Sequence, residues 1–291
     1  MKTIRVLAPA KLNLTLDILG LRPDGYHELD MLMQAVSLCD SVELITDTGA
    51  PRELVCAGPA GQNLPEIPTD GRNLAWRAAD AFYERTGLND EGLRIRIVKR
   101  IPSQAGLAGG SADAAAVLKG LNALHGNPLR ASALLELGAQ CGSDVPFCIQ
   151  GGTARVRGRG ERVRTIRLDP VQHYVIVKPP FGISTPMLFQ ASDRHSPAQR
   201  PDANQLLRCL KKGDTAGAGP LLCNVLEPVA VQVHPEIAEI RDALLVCGAC
   251  GAQMTGSGSA VFGLFPGPKE AKTACEALRS GENAVFYAHS V

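Results

Sequence analysis

An excess of charge of either sign is the first thing missing from this 291-residue chain: 30 lysines and arginines stand against 29 aspartates and glutamates. No overall field therefore draws it to nucleic acid or to an anionic membrane surface, and its partners have to be read from local sites. No secretory signal is expected either. The opening MKTIRVLAPAKLNL is too charged and its apolar part too short, so the expected compartment is the cytoplasm. The one uncharged stretch long enough to span a bilayer, Ala243 to Pro268, is interrupted by Gly248, Gly251, Gly256, Gly258, Gly263 and Gly267. It reads as a helix, a turn and a strand, and no membrane partner is expected. The nine cysteines are odd in number and scattered, which fits reduced thiols better than a disulfide framework. Cys247-x-x-Cys250 has no second pair for zinc and closes an apolar helical pattern, so it reads as helix-end packing. Repeats and low-complexity tracts are lacking as well. What is present, 45% hydrophobic and 20% charged residues, is ordinary globular composition, and the length favours two domains.

The most informative stretch is Pro102-Ser103-Gln104-Ala105-Gly106-Leu107-Ala108-Gly109-Gly110-Ser111-Ala112. The alternating Leu93 to Lys99 before it reads as a half-buried strand, and the alanine-rich run after Ser111 as a helix. The glycines thus occupy a strand-to-helix turn, where bare backbone N–H groups and a helix N-terminus can cradle phosphate. Ser111 and Asp113 fall in the first helical turn, where a hydroxyl can cap or touch a phosphate-bound metal and a carboxylate suits the dipole. A Walker loop is excluded, because Ser111 follows Gly110 directly with no lysine between, and the stretch contains no G-x-G-x-x-G.

From Ile4 to Ile18 apolar residues alternate through Leu12, Leu14, Leu16 and Ile18, which reads as a strand entered past Pro9. Its other face carries Lys11, Asn13, Thr15 and Asp17, either solvated or part of a site. Asp24-Gly25 marks a turn with Tyr26-His27 at its exit, serving either as surface or as an aromatic plate with a polar edge. Helices are expected over Asn73 to Thr86, stopped by Gly87, and over Leu129 to Ala139. In CGSDVPF, Asp144 sits in a turn and Pro146 is expected to prevent a helix from continuing. The arginine-rich Thr153 to Arg167 turns at Gly158-Arg159-Gly160 and reads as a hairpin; no aromatics interleave it, which argues against nucleic acid. Beyond Pro170 a strand at HYVIVKPP, a helix after ISTPMLF, a loop from Ser192 to Ala203, a helix from Pro235 to Val246 and a strand-turn-strand at QMTGSGSAVFGLF are expected. A helix over Lys269 to Arg279 and a strand over Ala284 to Ala288 close the chain.

The glycine stretch, with PAKLNLTLDILGLRPDGYHEL and GSDVPF, resembles the galactokinase, homoserine kinase, mevalonate kinase and phosphomevalonate kinase (GHMP) superfamily. The N-terminal part is similar to the branch acting on a cytidyl-diphosphate derivative of methylerythritol in non-mevalonate isoprenoid synthesis. The resemblance implies an α+β protein with a ribosomal protein S5 domain 2-like N-terminal domain (1–165) and a ferredoxin-like C-terminal domain (166–291). It implies ATP on Pro102 to Ala112, Mg2+ on the phosphates with no dedicated protein metal site, and Lys11 and Asp144 as catalytic residues. It also implies that Asn13 places the reacting end of the substrate, Tyr26 and Phe189 stack the cytosine and His27 reads its edge, with the glycine turn Gly256 to Gly258 facing the site. The partner is then a small molecule, and the protein a monomer or weak homodimer. Ser103, Gln104 and Ala105 depart from the family's all-glycine loop but leave its backbone donors intact. A homoserine or mevalonate type of kinase is the alternative disfavoured by Tyr26-His27; a non-catalytic nucleotide sensor is disfavoured by Lys11 with Asp144.

Overall fold

A computed structural model describes residues 1–46, 49–61, 64, 67–89, 92–279 and 281–291. Two long strands, β1 (Lys2–Leu21) and β2 (His27–Thr46), each pass through both of two compact units. The first unit comprises Met1–Ala10, Cys39–Ile101 and Ala108–Gly151; the second comprises Lys11–Leu38, Pro102–Leu107 and Gly152–Val291.

In the first unit the later part of β2 pairs antiparallel with β4 (Arg94–Val98), and β3 (Glu53–Ala57) pairs parallel with β4. Helix α1 (Leu74–Thr86) begins where Asn73 accepts a bond from the Ala75 N–H at 2.9 Å and ends where Gly87 turns left-handed, as its sequence predicts. Helix α2 (Gly109–Leu124) is buried almost all round, and Gly120 lets it settle on Leu44 and Val6, where a Cβ would collide. Helices α3 (Ala131–Cys141) and α4 (Val145–Gln150) complete the unit. The expectation for Pro146 is corrected here. Proline lacks only an N–H that the first turn leaves unpaired, so Pro146 opens α4 instead of blocking a helix.

In the second unit the early part of β2 pairs with β5 (Thr153–Gly158), which forms the expected hairpin with β6 (Arg162–Ile166). Strand β7 (His173–Lys178) is followed by helices α5 (Thr185–Ser192), α6 (Ala203–Lys211) and α7 (Thr215–Ala218), then the short β8 (Cys223–Asn224), parallel to β1. Helices α8 (Glu227–Val233) and α9 (Glu236–Val246), strands β9 (Gly251–Met254) and β10 (Val261–Phe265), helix α10 (Pro268–Ala277) and strand β11 (Ala284–His289) follow. The four-stranded antiparallel sheet runs β11-β7-β10-β9. With α9 and α10 as its crossovers, this is the ferredoxin-like β-α-β-β-α-β pattern. Among the described residues no helix is long and apolar enough to cross a membrane.

Candidate active site

Residues of β1 that could have been solvated are buried. Lys11 is 4% exposed and Asn13 0%, as enclosed as Leu12 and Leu14. Buried polar groups persist only when bonded, and these are. Lys11 Nζ donates to Asn13 Oδ1. The Asn13 N–H donates to Thr255 Oγ1 at 3.0 Å, and Gln253 Nε2 donates to the Asn13 and Leu14 carbonyls at 2.8 and 3.1 Å. The turn after β9 closes over this pair: a Cβ on Gly256 would come within 3.0 Å of Lys11 Nζ, 3.1 Å of the Gly106 oxygen and 3.3 Å of Asn13 Oδ1. Asn224 Nδ2 holds that turn by donating to the carbonyls of Met254 and Gly256 at 2.9 and 2.8 Å.

The loop Pro102 to Leu107 lies against the same turn. Gly106 has φ +69°, and any Cβ there would meet the Thr255 oxygen at 2.1 Å, so only glycine fits. Ala260 and Ser259 donate their N–H groups to the carbonyls of Ala105 and Gln104 at 3.3 and 3.4 Å. Leu107 accepts from the Lys11 N–H at 3.1 Å. Ser103 and Gln104 are exposed while Ala105 is buried, so the departures from an all-glycine loop leave a loop pinned by its own carbonyls.

In the first unit, Ala108 stands at the N-cap of α2 with φ +59°, and no side chain caps the helix. The first N–H groups of this 16-residue helix are thus left for a ligand or solvent. A Cβ on Gly109 would press on Ile101 at 3.1 Å and Lys99 Nζ at 3.3 Å, so the missing side chain lets the helix start rest on Lys99. Gly142 faces the same helix start, its Cβ position 3.9 Å from Ser111 Oγ. Asp144 is half-buried at the N-cap of α4, and its side chain makes no cap bond to that helix.

Under the helix start lies a buried ion cluster. Lys99 Nζ bonds both Asp40 Oδ2 and, at 2.6 Å, Asp113 Oδ2. Asp40 Oδ1 accepts the N–H groups of Arg100 and, at 2.8 Å, Ile101, which fixes the chain as it leaves β4. Burial pushes the Asp113 carboxyl up to about 7 against the pull of Lys99. Burial opposes the charge on Lys99, but the two carboxylates outweigh it and hold its pKa above the ordinary value. Asp113 is therefore not the dipole partner expected from its position in the first turn.

The aromatic candidates all lie in the second unit. Tyr26 is 51% exposed, with the Arg159 guanidinium 5.2 Å over its ring. His27 lies 5.0 Å from Phe189, centroid to centroid, and its Nε2 is 2.7 Å from Asp193 Oδ1.

The model of the GHMP kinases N terminal domain matches residues 73–152, and that of the GHMP kinases C terminal domain matches 206–283. A relative from Pelotomaculum thermopropionicum, named 4-diphosphocytidyl-2-C-methyl-D-erythritol kinase, is 43% identical over 283 residues, 97% of this chain and 96% of its own length. A crystal structure of 4-(cytidine 5'-diphospho)-2C-methyl-D-erythritol kinase matches at TM-score 0.81 with 36% identity, covering 99% of this chain and all of that one. The chain belongs to the 4-diphosphocytidyl-2-C-methyl-D-erythritol kinase family of GHMP kinases. A homoserine kinase from Cytophaga hutchinsonii, at TM-score 0.77 and 21% identity over 100% of this chain and 95% of its own, shares the fold alone.

For this kinase, then, Lys11, Asn13, the loop Pro102 to Leu107 and Gly256 come together in the second unit, as do His27 and Phe189. Gly109, Gly110, Ser111 and Asp144 belong to the first unit. Reading the sequence missed Lys99 and Asp40, although strand parity marks both: Lys99 is in phase with buried Ile95 and Ile97, and Asp40 with Leu38 and Val42. It also missed Asp193, which follows Phe189 by one helical turn.

Proposed function

We propose that this enzyme transfers the γ-phosphoryl group of ATP to the 2-hydroxyl of 4-diphosphocytidyl-2-C-methyl-D-erythritol, with Asp144 as the base. The observation that carries the reading is the buried Lys11–Asn13 pair, closed over by glycine turns in which Gly106 leaves no room for a side chain and a Cβ on Gly256 would crowd Lys11 Nζ. An enclosed ammonium beside an amide is suited to a transferring phosphoryl group, where catalysis is positioning and charge neutralisation. Lys11 stabilises charge on that group; Asn13 places the acceptor hydroxyl, whose proton Asp144 takes. Pro102 to Ala112 cradle the ATP phosphates on backbone N–H groups, and the uncapped start of α2 fits that role.

Mg2+ would neutralise charge on the phosphates. The Ser111 hydroxyl, in the first turn of α2, is placed to meet a phosphate-bound ion, which would take its other ligands from the phosphates and water. Tyr26 and Phe189 stack the cytosine and His27 meets its edge. The enzyme works in the cytoplasm as a monomer or weak homodimer.

The test is ATP-dependent phosphorylation of the cytidyl-methylerythritol substrate, run beside homoserine and mevalonate. Turnover of the first alone is expected. Turnover of either other alcohol in its place would reassign the acceptor, and ATP binding without turnover of any would leave a nucleotide sensor.

A further inference from the structure

His27 is nearly enclosed, its side chain 12% exposed, and two residues from the same helix end meet it. Phe189 lies in the last turn of α5 and Asp193 caps that helix, its N–H donating to the Phe189 carbonyl at 3.3 Å. Four residues apart, they share one face. Phe189 lays its ring 5.0 Å from the imidazole at 35°, and Asp193 Oδ1 approaches Nε2 to 2.7 Å. A carboxylate offers only lone pairs, so the hydrogen of this bond belongs to Nε2. In the neutral imidazole the other nitrogen then carries none. Nδ1 is left as an acceptor, and among the described residues it has no hydrogen-bond partner.

We propose that Asp193 is a positioning residue that sets the base preference of this kinase by holding His27 in the Nε2–H tautomer, so that Nδ1 accepts a hydrogen bond from the exocyclic amino group of cytosine. This rests on the reading above in which His27 meets the base edge. Cytosine presents an N–H2 donor where uracil presents a carbonyl oxygen. Against the first, Nδ1 completes a hydrogen bond; against the second, two lone pairs face one another in an enclosed site, and neither is satisfied. Selectivity of this kind comes from the unpaired group in the wrong complex more than from the bond in the right one. A ring free to move its hydrogen between its nitrogens would accept either base. The carboxylate removes that freedom without touching the substrate.

The test uses the full chain and three variants, Asp193→Ala, Asp193→Asn and Asp193→Glu. kcat/KM is measured with the cytidyl substrate and its uridyl analogue, and the His27 ring tautomer is read from 15N NMR shifts of the free enzyme. In Asp193→Ala the cytidyl-to-uridyl ratio falls about tenfold, the factor that 1.4 kcal/mol represents, the loss lies in KM rather than kcat, and the ring shifts report a mixture of tautomers. Asp193→Asn keeps the shape but can turn its amide N–H2 toward Nε2, so the hydrogen moves to Nδ1 and kcat/KM for the uridyl analogue rises. Asp193→Glu keeps an acceptor and retains most of the preference. Where Asp193→Ala fails to fold, the isosteric Asp193→Asn carries the comparison. A cytidyl preference that survives in both variants, with the ring still Nε2–H, overturns the part given to Asp193. A wild-type enzyme that uses both substrates equally overturns the base reading itself, and the inference with it.

Discussion

The glycine loop with the start of α2 and the ring cluster around His27 are built by opposite means. In the first, the proposed cradle consists of backbone N–H groups, with side chains as support beneath them. Exposed Ser103 can vary there, because the loop is held by its carbonyls, whereas a single Cβ at Gly106 cannot be placed. In the second, the backbone only makes the turn, with the Arg22 N–H bonded to the Tyr26 carbonyl at 2.7 Å, and rings are the proposed means of recognition. The supports differ too. Lys99 and its two carboxylates are sealed from water, while Asp193 beside His27 is 44% exposed. Damage to the first region should therefore appear in chemistry, nucleotide binding and stability, and damage to the second in substrate choice.

The largest effect is expected from Asp144→Asn, which keeps the shape but cannot take the hydroxyl proton. kcat should fall roughly 10²–10⁴-fold, the range for loss of a general base, with ATP binding retained. A retained kcat would reduce Asp144 to a helix N-cap. Next is Lys99→Met, which strands two carboxylates in the interior. Breaking a buried ion pair from one side costs about 3–5 kcal/mol, a large part of the roughly 5–15 kcal/mol that holds a protein folded. A urea midpoint that barely moves would show that the loop does not depend on buried charge, and the contrast in supports would fail.

In the ring cluster, Tyr26→Ala should raise KM for the cytidyl substrate about tenfold, the lower part of the 1–3 kcal/mol range for base-aromatic stacking. Tm should hardly change, since the ring is half exposed. A lower Tm with an unchanged KM would make Tyr26 a brace of the turn.

The two regions were unequally legible in the sequence. The strand, glycine turn and helix could be read from period and composition, because backbone conformation leaves a local imprint. So could the hairpin at Gly158 and the ferredoxin-like strands, since each is bounded by glycine or proline. What supports the loop could not be read as easily, because Asp40, Lys99 and Asp113 meet only once β2, β4 and α2 have packed; parity along two strands was the available sign. Helices α7 and α8 went unnoticed because they are short and contain a glycine and a proline respectively; α6, a nine-residue amphipathic helix with neither inside it, was missed beside the polar, proline-bearing run that precedes it. The face carrying Lys11 and Asn13 was ambiguous for another reason. Periodicity separates two faces of a strand but says nothing of what covers the polar one, and here β9 and the turn after it do.

Asp113 offers a finer test of the buried support through pH. Its carboxyl is held at about 7 in the folded chain against an ordinary 3.8, so the folded state keeps a proton that the unfolded state releases between those values. Stability from this group is full below the unfolded value, falls as pH rises toward 7 and then levels. Asp113→Asn should flatten that part of the curve, so the difference in urea midpoint between the two proteins should change between about pH 4 and 7. Parallel curves would mean that Asp113 titrates normally and that Lys99 satisfies it in full.

The smallest effect concerns Ala108, and it tests whether the loop is a backbone device at its most constrained point. Ala108 has φ +59° and Gln104 φ +50°, a conformation that costs a residue with a Cβ about 1–2 kcal/mol. The Gln104 side chain lies across Gly182, where a Cβ would meet Gln104 Oε1 at 2.1 Å, so replacing it would lose packing as well as strain. Ala108 has only a methyl to lose. Ala108→Gly should relieve the strain, while the added freedom of glycine in the unfolded chain takes back about 0.4–1 kcal/mol. The net gain should be roughly 0.5–1 kcal/mol, a rise of about 1–3 °C in Tm for a chain of this size. KM for ATP should stay within about twofold, because the N–H groups that follow keep their places on α2. A fall in Tm would show that the methyl packs where the backbone alone was thought to matter; a large rise in KM would show that the left-handed alanine stiffens the cradle, making side-chain identity as important in this region as it is around His27.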